Sequence, residues 1–297
     1  MDMHSVSIIG VGRIGGALAI ALSRRGFVID TLFHRDDSTV NRVRSLLPST
    51  TEFAILSADA NPIESDIVII ATADPDIEVV AESLAGILTP GRVVLHTSGS
   101  LSSDVLRSLS AAGHSTGSMH PLISISDAVT GSENFQGAYF CIEGNEPAVS
   151  VAHSIAEELG GHTFSIPSDR KTLYHAAAVT ACGHVVALID VAIEMLSKCG
   201  IEKQHAQEIL RPLIGSTISN LESLAPQKAL TGSFARLDAS AVERHVSAIK
   251  SEMSPDVLDV YLLLGERSLE LAASNDPDPE KLKRLRDLIS IAKRNAG

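Results

Sequence analysis

The sequence has no tryptophan, few aromatic residues and no basic run. Aromatic side chains make up 3% of its 297 residues, and 36 acidic residues outnumber 24 basic ones, which gives a net charge of −12. Proteins that bind nucleic acids use clustered Lys and Arg to neutralise phosphates and often stack aromatic rings on bases. We therefore expect no nucleic acid among the partners of this protein.

Cysteine is also scarce. The three cysteines, Cys141, Cys182 and Cys199, are odd in number, widely spaced and without the spacing of a metal site. A disulfide framework would need an even number at regular spacings. We therefore predict reduced thiols and no bound metal, in a cytoplasmic protein.

Long uninterrupted apolar segments are missing as well. Residues 176–196 approach membrane-spanning length, but four polar residues interrupt them, namely Thr180, His184, Asp190 and Glu194. Charged side chains in lipid are costly, so we interpret this segment as a buried helix and expect no membrane partner. The first apolar run begins at Val6, which leaves no room for a signal peptide before it.

The clearest pattern in the sequence lies at residues 5–35, which read SVSIIGVGRIGGALAIALSRRGFVIDTLFHR. An apolar run, a glycine turn, a run with helical spacing and a second apolar run follow one another within about thirty residues. This order predicts the strand–helix–strand unit that binds a dinucleotide.

The glycines of this turn have different predicted roles. Gly10 permits the tight turn, Gly12 lets a pyrophosphate approach the backbone, and Gly15 lets helix and strand pack closely. The helix that begins beside Arg13 and Ile14 offers free N–H groups and the positive end of its dipole to the phosphates. We assign these residues to the cofactor site.

The end of the second apolar run decides which nucleotide is preferred. A carboxylate there binds the ribose hydroxyls of NAD, whereas an arginine suits the 2′-phosphate of NADP. The run ends in His34 and Arg35. Arg35 can form two parallel hydrogen bonds to a phosphate, with His34 as a further donor and Arg13 on the adenine side. We predict NADP, with NAD possible if Arg35 merely pairs with Asp36 or Asp37.

Further apolar runs extend the predicted sheet. Segments typical of buried strands occur at residues 66–71, 93–95, 115–119, 138–142 and 162–166. From Pro167 onward every segment has helical spacing. The pattern predicts an α/β fold, with a doubly wound Rossmann domain at residues 1–166 and an all-α substrate and dimerisation domain at residues 167–297.

Polar side chains follow three of these strands. Thr72 and Ala73 come after the first, Thr97 and Ser98 after the second, and His120 after the third. Ligands bind at the carboxyl ends of parallel strands, so we predict that Thr72, Ala73, Thr97 and Ser98 contact the cofactor. Ser98 and His120 are also predicted to position the reacting atom, although a structural histidine at a strand end explains His120 equally well.

A long helix predicted at residues 168–198 supplies further candidates. Lys171 and His175 lie four residues apart and share a helix face. A helix that is apolar all round must be buried, so these polar side chains either face a cleft or need partners. We predict that His175 donates a proton to the substrate and that Lys171 binds it. The alternative for His175 is a hydrogen-bonded core histidine.

A polar loop between later helices is the last candidate. It contains Thr231 and Arg236, and Asp238 follows. Arg236 can hold a substrate carboxylate, with Thr231 beside it, or it can pair with Asp238. We assign Thr231 and Arg236 to the substrate site.

Several motifs, taken in order, give the chain a resemblance to a known family. They are GVGRIGGALAIAL (10–22), VVLHTSG (93–99), MHPL (119–122), YHAAAV (174–179) and ALTGSFARLD (229–238), followed by His245. The chain resembles Rossmann-like NAD(P)-dependent oxidoreductases whose helical C-terminal domain is similar to that of 6-phosphogluconate dehydrogenase and pyrroline-5-carboxylate reductase. Where the family pattern has an asparagine after YHAAAV, this chain has Cys182-Gly183-His184, and we assign His184 to the substrate site.

The resemblance implies a nicotinamide-dependent oxidoreductase that forms a homodimer through its helical half. Together with the site residues, it predicts an NADPH-dependent reductase of a small carbonyl or imine compound. One alternative is a sensor or scaffold protein that binds NADP(H) without turnover. Another is a deazaflavin-dependent NADP reductase, because its Rossmann half would look much the same.

Overall fold

The computed structural model describes residues 4–35, 37–57 and 61–294. The chain forms two compact units, Met1–Cys182 and Gly183–Gly297. The first unit extends beyond the predicted boundary at residue 166 and includes the first part of the predicted long helix. The division into a cofactor domain and a substrate domain at residue 166 stays a prediction.

The first unit is built on one eight-stranded sheet. Its strands are β1 (Ser5–Ile9), β2 (Val28–Phe33), β3 (Glu52–Ala54), β4 (Ile67–Ile70), β5 (Val93–His96), β6 (Ser115–Pro121), β7 (Tyr139–Gly144) and β8 (His162–Phe164). The sheet order is β3-β2-β1-β4-β5-β6-β7-β8. Neighbouring strands are parallel except for β6 and β7, which are antiparallel. The sheet is therefore mostly parallel, and β3 is a strand that the sequence analysis missed.

Helices cover both faces of this sheet. They are α1 (Arg13–Arg24), α2 (Asp37–Arg44), α3 (Asp74–Leu84), α4 (Arg107–Ala111), α5 (Ala128–Gly131), α6 (Glu146–Glu158) and α7 (Lys171–Ala181). Successive strand residues point to opposite faces, so Ile8 joins the core under α1 and α6 while Ile9 joins the core under α3. The doubly wound arrangement is therefore confirmed.

The second unit is helical throughout its described residues. Its helices are α8 (Gly183–Lys198), α9 (Lys203–Ser223), α10 (Pro226–Ala229), α11 (Gly232–Ala235), α12 (Ala239–Glu252), α13 (Pro255–Ala273) and α14 (Pro279–Arg294). Its core includes Val242 of α12, Leu262 of α13 and Leu285 of α14. The predicted all-α half is confirmed.

The predicted long helix at residues 168–198 is interrupted. Ser168–Arg170 forms a 3-10 turn, α7 follows, and Cys182 leaves helical geometry with φ −119° and ψ −76° before α8 begins. The next residue is Gly183, which has no Cβ and weakens a helix interior. The prediction of one continuous helix was wrong at this point.

The apolar surface of this helical segment is also not buried as we expected. Val186 and Leu188 of α8 are 65% and 43% exposed. The segment Ser168–Lys198 has a mean hydropathy of 2.0 in its most apolar window, and none of that window is buried. By length and composition alone it could cross a membrane. Within the described part of a single chain, this apolar surface is left uncovered.

Candidate functional site

The glycine turn between β1 and α1 has the geometry that a phosphate site needs. Gly10 has φ +99°, and a Cβ there would lie 2.8 Å from the carbonyl oxygen of Ala71. A Cβ on Gly15 would overlap the carbonyl oxygen of Gly10, so helix and turn meet through bare backbone. A Cβ on Gly12 would meet no described atom within 4 Å. The backbone of Gly12 is therefore open to a ligand, as a dinucleotide site requires.

A cavity of about 470 Å³ lies beside this turn. Six predicted cofactor residues line it, namely Gly10, Gly12, His34, Arg35, Thr72 and Ala73. Its wall also includes apolar side chains, among them Ile55 and Val79. The volume and the mixed lining are typical of cofactor sites.

One polar atom at this cavity lacks a protein partner. Oγ1 of Thr72 is buried and makes no hydrogen bond within the described residues. A buried hydroxyl without a partner is costly, so such an atom commonly marks the place of a ligand group or a water molecule. Thr72 lies two residues after β4, at the carboxyl end of the sheet. Its position fits a contact with a bound dinucleotide.

Arg35 lines the same cavity and is ion-paired there. Its guanidinium lies 3.2 Å from the carboxylate of Asp76, in the first turn of α3. Both side chains are exposed, 76% for Arg35 and 38% for Asp76. The other partners that we considered, Asp36 and the side chain of Asp37, lie outside the described residues. A carboxylate that the sequence analysis did not consider therefore reaches Arg35.

Five other predicted cofactor residues do not line this cavity, namely Arg13, Ile14, Gly15, Thr97 and Ser98. Arg13 is exposed and lines a separate depression with Arg42 and Asp127, which are themselves ion-paired. Ile14 packs against the core under α1. Thr97 is half-buried and directly follows β5. The adenine contact of Arg13 stays a prediction, with its side chain on a neighbouring depression of the surface.

The loop after β5 is held by its own side chains. Nδ1 of His96 accepts a hydrogen bond from the backbone N–H of Ser98, and Nε2 donates to the carbonyl oxygen of Ser102, both at 3.2 Å. Oγ of Ser98 accepts from the backbone N–H groups of Ser100 and Leu101. Ser98 is 6% exposed, so its hydroxyl helps to fix this loop, and its contact with cofactor or substrate stays a prediction.

A buried ion pair joins α7 to the sheet. Nζ of Lys171 donates to Oγ of Ser118 in β6 and lies 3.6 Å from Oε1 of Glu143 in β7. Glu143 also accepts hydrogen bonds from the backbone N–H and the hydroxyl of Ser103. The Lys171 side chain is 1% exposed. Partners inside the first unit hold its ammonium group, and its predicted role in binding substrate stays a prediction.

Two further side chains on the same face of α7, those of Tyr174 and His175, lie next to His120. The hydroxyl of Tyr174 lies 2.7 Å from Nδ1 of His120. The ring of His175 is edge-on to that of His120, with centroids 6.0 Å apart. A Cβ on Gly99 would lie within 2.8 Å of both imidazoles, so the rings meet over this glycine. His120 and His175 are thus neighbours, and we call His120, Tyr174, His175 and Gly99 the imidazole cluster.

Burial controls protonation in and around the imidazole cluster. It is the largest cause that lowers the pKa of His120 to about 4, and the nearby His175 and Lys171 lower it further. Burial, aided by the charge of Lys171, lowers the pKa of His96 to about 3. Burial also lowers the pKa of Lys171, against the attraction of Glu143, and raises that of the Tyr174 phenol. At neutral pH, His96 and His120 are therefore uncharged and Tyr174 keeps its proton.

The remaining candidates lie in the second unit. His184 is exposed in the first turn of α8, and Thr231 and Arg236 are exposed on either side of α11. Asp238 caps α12, and its pKa is lowered by the hydrogen bond from the backbone N–H of Ala241 and, less strongly, by the charge of Arg236. Leu237 has φ +54°, which is strained for a leucine.

Two residues that sequence reasoning missed complete the first unit's polar network. Tyr174 is assigned no role in the sequence analysis, although its spacing of three from Lys171 puts both on one helix face. Glu143 gave no signal, because it meets Lys171 only through the antiparallel return of β7. In the part of the chain that the structure describes, no group of three or more His, Cys, Asp or Glu is arranged to hold a metal ion.

Comparison with known protein families covers most of the chain. Residues 2–121 match the profile of a Rossmann-like domain. Residues 138–268 match the profile of a domain of unknown function, DUF2520. No curated protein matches the sequence.

Solved structures share the fold at low sequence identity. A proposed NADP oxidoreductase from Bacteroides fragilis is 22% identical with a TM-score of 0.74, over 89% of this chain and 97% of its own. A reductive aminase from Aspergillus terreus, solved with NADPH and ethyl levulinate, is 16% identical with a TM-score of 0.63, over 92% and 99%. A pyrroline-5-carboxylate reductase from Coxiella burnetii is 14% identical with a TM-score of 0.57, over 97% and 99%. The chain thus matches a Rossmann-like profile in its first part and the DUF2520 profile in its second.

Proposed function

We propose that this protein is an NADPH-dependent reductase that acts on a small carbonyl or imine compound. The observation that carries the proposal is the glycine turn, in which Gly12 presents open backbone to a cavity of about 470 Å³. The bound dinucleotide would supply a hydride to the carbon of the C=O or C=N group. The chain itself must bind the cofactor, orient the substrate and deliver a proton to its oxygen or nitrogen.

The residues around the turn fit a dinucleotide. The N-terminus of α1 follows Gly12 directly, and its free N–H groups and dipole favour phosphate. Oγ1 of Thr72 is a buried hydroxyl oxygen that makes no hydrogen bond within the described residues. Arg35 supplies a guanidinium in the same cavity, where it would bind a 2′-phosphate.

The preference for NADPH over NADH depends on the partner of Arg35. Asp76 holds this guanidinium in the structure, but exposed ion pairs contribute only about 0–1 kcal/mol. A 2′-phosphate offers a stronger, bidentate partner and would displace the carboxylate. We therefore infer that Arg35 selects NADPH and that Asp76 competes with the phosphate.

The imidazole cluster would supply the polar groups for the substrate. His120 is uncharged at neutral pH, so it serves as a hydrogen-bonding group rather than as an acid. We assign proton delivery to the adjacent His175. The change His175→Ala should abolish turnover while NADPH affinity stays unchanged. An active variant with unaltered rate constants would contradict this assignment.

The structural neighbours support the cofactor and the reaction class by their names. One was solved with NADPH, and others are named as an NADP oxidoreductase and a pyrroline-5-carboxylate reductase. The shared fold supports the same cofactor and reaction class for this chain, and its substrate is to be identified by assay. Fold alone does not fix activity, so a direct assay is required.

We further propose that a second copy of the chain covers the exposed apolar helices. Val186, Leu213, Ile218 and Leu263 are between 47% and 65% exposed. Apolar surfaces of this kind mark interaction sites, and symmetric dimers are the commonest assemblies. Sedimentation should give twice the chain mass of 31.3 kDa, and Leu213→Glu should give monomers. A monomeric wild type, or recovery of the protein in the membrane fraction, would contradict a soluble homodimer.

Oxidation of NADPH in the presence of keto acids and cyclic imines tests the proposed function. Turnover of any member, abolished in His175→Ala, supports the reductase. Tight NADPH binding without oxidation across the panel would favour the sensor instead. Hydride exchange with a deazaflavin, seen as a change in its absorbance, would favour the deazaflavin-dependent reductase.

A further inference from the structure

Two hydrogen bonds in succession attach α7 to β6. Lys171 bonds to Ser118, and three residues later Tyr174 bonds to His120. Residues three apart share a face of a helix, and residues two apart share a face of a strand, so both bonds lie along one contact line. The Tyr174 ring is also edge-on to Phe164 of β8, with centroids 5.8 Å apart. Tyr174 is therefore held on two sides and has a fixed relation to His120.

The direction of the Tyr174–His120 hydrogen bond follows from the donors that each group carries. A neutral imidazole has one N–H and one bare nitrogen, and which is which depends on its partners. If Nδ1 carried the hydrogen, it would donate to Tyr174, and the phenol hydrogen would need another acceptor. Within the described residues the Tyr174 hydroxyl has His120 as its one hydrogen-bond partner. The arrangement that satisfies both groups has the phenol donating to a bare Nδ1.

The hydrogen of the His120 ring then lies on Nε2. This nitrogen makes no hydrogen bond within the described residues and lies beside Gly99, where a Cβ would come within 2.8 Å of it. The same Cβ would also lie 2.8 Å from Cδ2 of His175. A neutral N–H in this position offers one directed hydrogen bond to a ligand atom without giving up its proton.

We propose that Tyr174 is a positioning residue that holds His120 as its Nε2–H tautomer, so that His120 donates a hydrogen bond to the carbonyl oxygen or imine nitrogen of the substrate. The second half of this statement rests on the proposed reductase function. The first half concerns the protein alone. Tyr174 itself does not touch the substrate, and it acts through the orientation and tautomer of His120.

The nearby charges agree with a donor that stays neutral. Lys171 lies on the same face of α7 as Tyr174, and its ammonium group disfavours a second positive charge on His120. His175 acts in the same direction, and Asp74 opposes both more weakly. His120 and His175 therefore divide the work: His120 polarises the reacting bond and His175 supplies the proton.

Nitrogen–proton NMR of the histidine rings in the full-length protein, without substrate, tests the first half. The His120 signals are assigned by their loss in His120→Gln. We expect wild type to show the Nε2–H tautomer and Tyr174→Phe to show a mixture of tautomers. A wild-type ring with its hydrogen on Nδ1 would overturn the proposal, and so would a Tyr174→Phe ring that stays in the Nε2–H form. If Tyr174→Phe does not fold, the wild-type tautomer alone decides.

The chain offers a matched control for this change. Tyr261 makes the same bond to Nδ1 of His245, at 2.8 Å, in the second unit. The change Tyr261→Phe removes an equivalent hydroxyl and should leave the His120 signals unchanged. If it altered them in the same way, the effect in Tyr174→Phe would be general loosening, and the proposal would fail.

Kinetics test the second half once a substrate is known. Tyr174→Phe should lower kcat by at least about tenfold, with NADPH affinity unchanged, because the donor to the developing charge is misplaced. A variant with wild-type kcat but mixed tautomers would overturn the catalytic half. If no substrate is turned over by the wild type, the reductase proposal fails while the tautomer result stands on its own.

Discussion

Nζ of Lys171 lies 3.6 Å from Oε1 of Glu143, and the lysine side chain is 1% exposed. This pair fastens the start of α7 to β6 and β7 within the first unit. Removing one partner of a buried pair leaves the other charge uncompensated, which costs about 3–5 kcal/mol. We therefore expect Lys171→Met to lower the free energy of unfolding by about that amount. Urea unfolding of the two proteins measures the difference.

The double change Lys171→Met with Glu143→Gln is the control for this prediction. Because it removes both charges, it should recover part of the stability lost in the single variant. If Lys171→Met lowered the free energy of unfolding by less than about 1 kcal/mol, the pair would contribute no more than an ordinary surface ion pair, which would contradict this prediction.

Acid should weaken the fold through His96. Its pKa is about 3 in the folded protein, against about 6.5 in an unfolded chain. Below about pH 6.5 the unfolded chain therefore binds a proton that the folded chain does not, and the free energy of unfolding falls by up to about 1.4 kcal/mol per pH unit, down to about pH 3. Above that window this stabilisation is fully present.

The variant His96→Asn isolates this effect, because its amide can still accept the N–H of Ser98 while it does not titrate. The stability advantage of wild type over the variant should shrink as the pH falls from about 7 to about 5. Urea unfolding at several pH values measures it. An advantage that is independent of pH would mean that His96 does not titrate as its burial implies.

Gly12 should be dispensable for folding and necessary for cofactor binding. A Cβ there would meet no described atom within 4 Å, and its φ of −83° suits any residue. We expect Gly12→Ala to have the same melting temperature as the wild type. It should bind NADPH at least about tenfold more weakly, which is about 1.4 kcal/mol. Thermal melting and calorimetry provide the two readings.

Gly86→Ala is the matched control, since a Cβ at this exposed position after α3 also meets nothing described within 4 Å. It should change neither the melting temperature nor NADPH affinity. If Gly12→Ala bound NADPH as tightly as this control, the pyrophosphate could not lie against the glycine turn.

Changes at Arg35 and Asp76 should shift NADPH affinity in opposite directions. Arg35→Ala should weaken NADPH binding by about 10- to 100-fold and leave NADH binding nearly unchanged. Asp76→Asn removes the competing carboxylate, so NADPH binding should tighten by up to about fivefold. Arg42→Ala serves as the charge-matched control, because Arg42 pairs with Asp127 on a separate surface. If Arg35→Ala weakened the binding of NADPH and NADH equally, the assignment of Arg35 to the 2′-phosphate site would be contradicted.

Local patterns made the sheet and the glycine turn predictable from sequence. All four residues of β4 are apolar and buried, as a central parallel strand requires. The glycine spacing has local geometric causes. A Cβ on Gly10 would crowd the backbone of Ala71, and one on Gly15 would overlap the carbonyl oxygen of Gly10, whereas Gly12 leaves its backbone open. The three-residue strand β3 (Glu52–Ala54) escaped because it is too short to show a period.

The contacts that refine the site depend on long-range topology, which periodicity does not contain. Asp76 of α3 reaches Arg35 in the turn after β2, and Glu143 meets Lys171 through an antiparallel strand. The apolar surface around Val186 is a separate case. Periodicity predicts that such a surface needs cover, but it does not distinguish cover by the same chain from cover by another copy.

Calorimetric titration of the wild-type protein with NADPH, and in parallel with NADH, tests the central claim most directly. The account predicts micromolar binding of NADPH and clearly weaker binding of NADH, because Gly12 and Arg35 together address the pyrophosphate and the 2′-phosphate. If neither dinucleotide bound, the glycine turn would not serve a cofactor in this protein, and the reductase function would be contradicted.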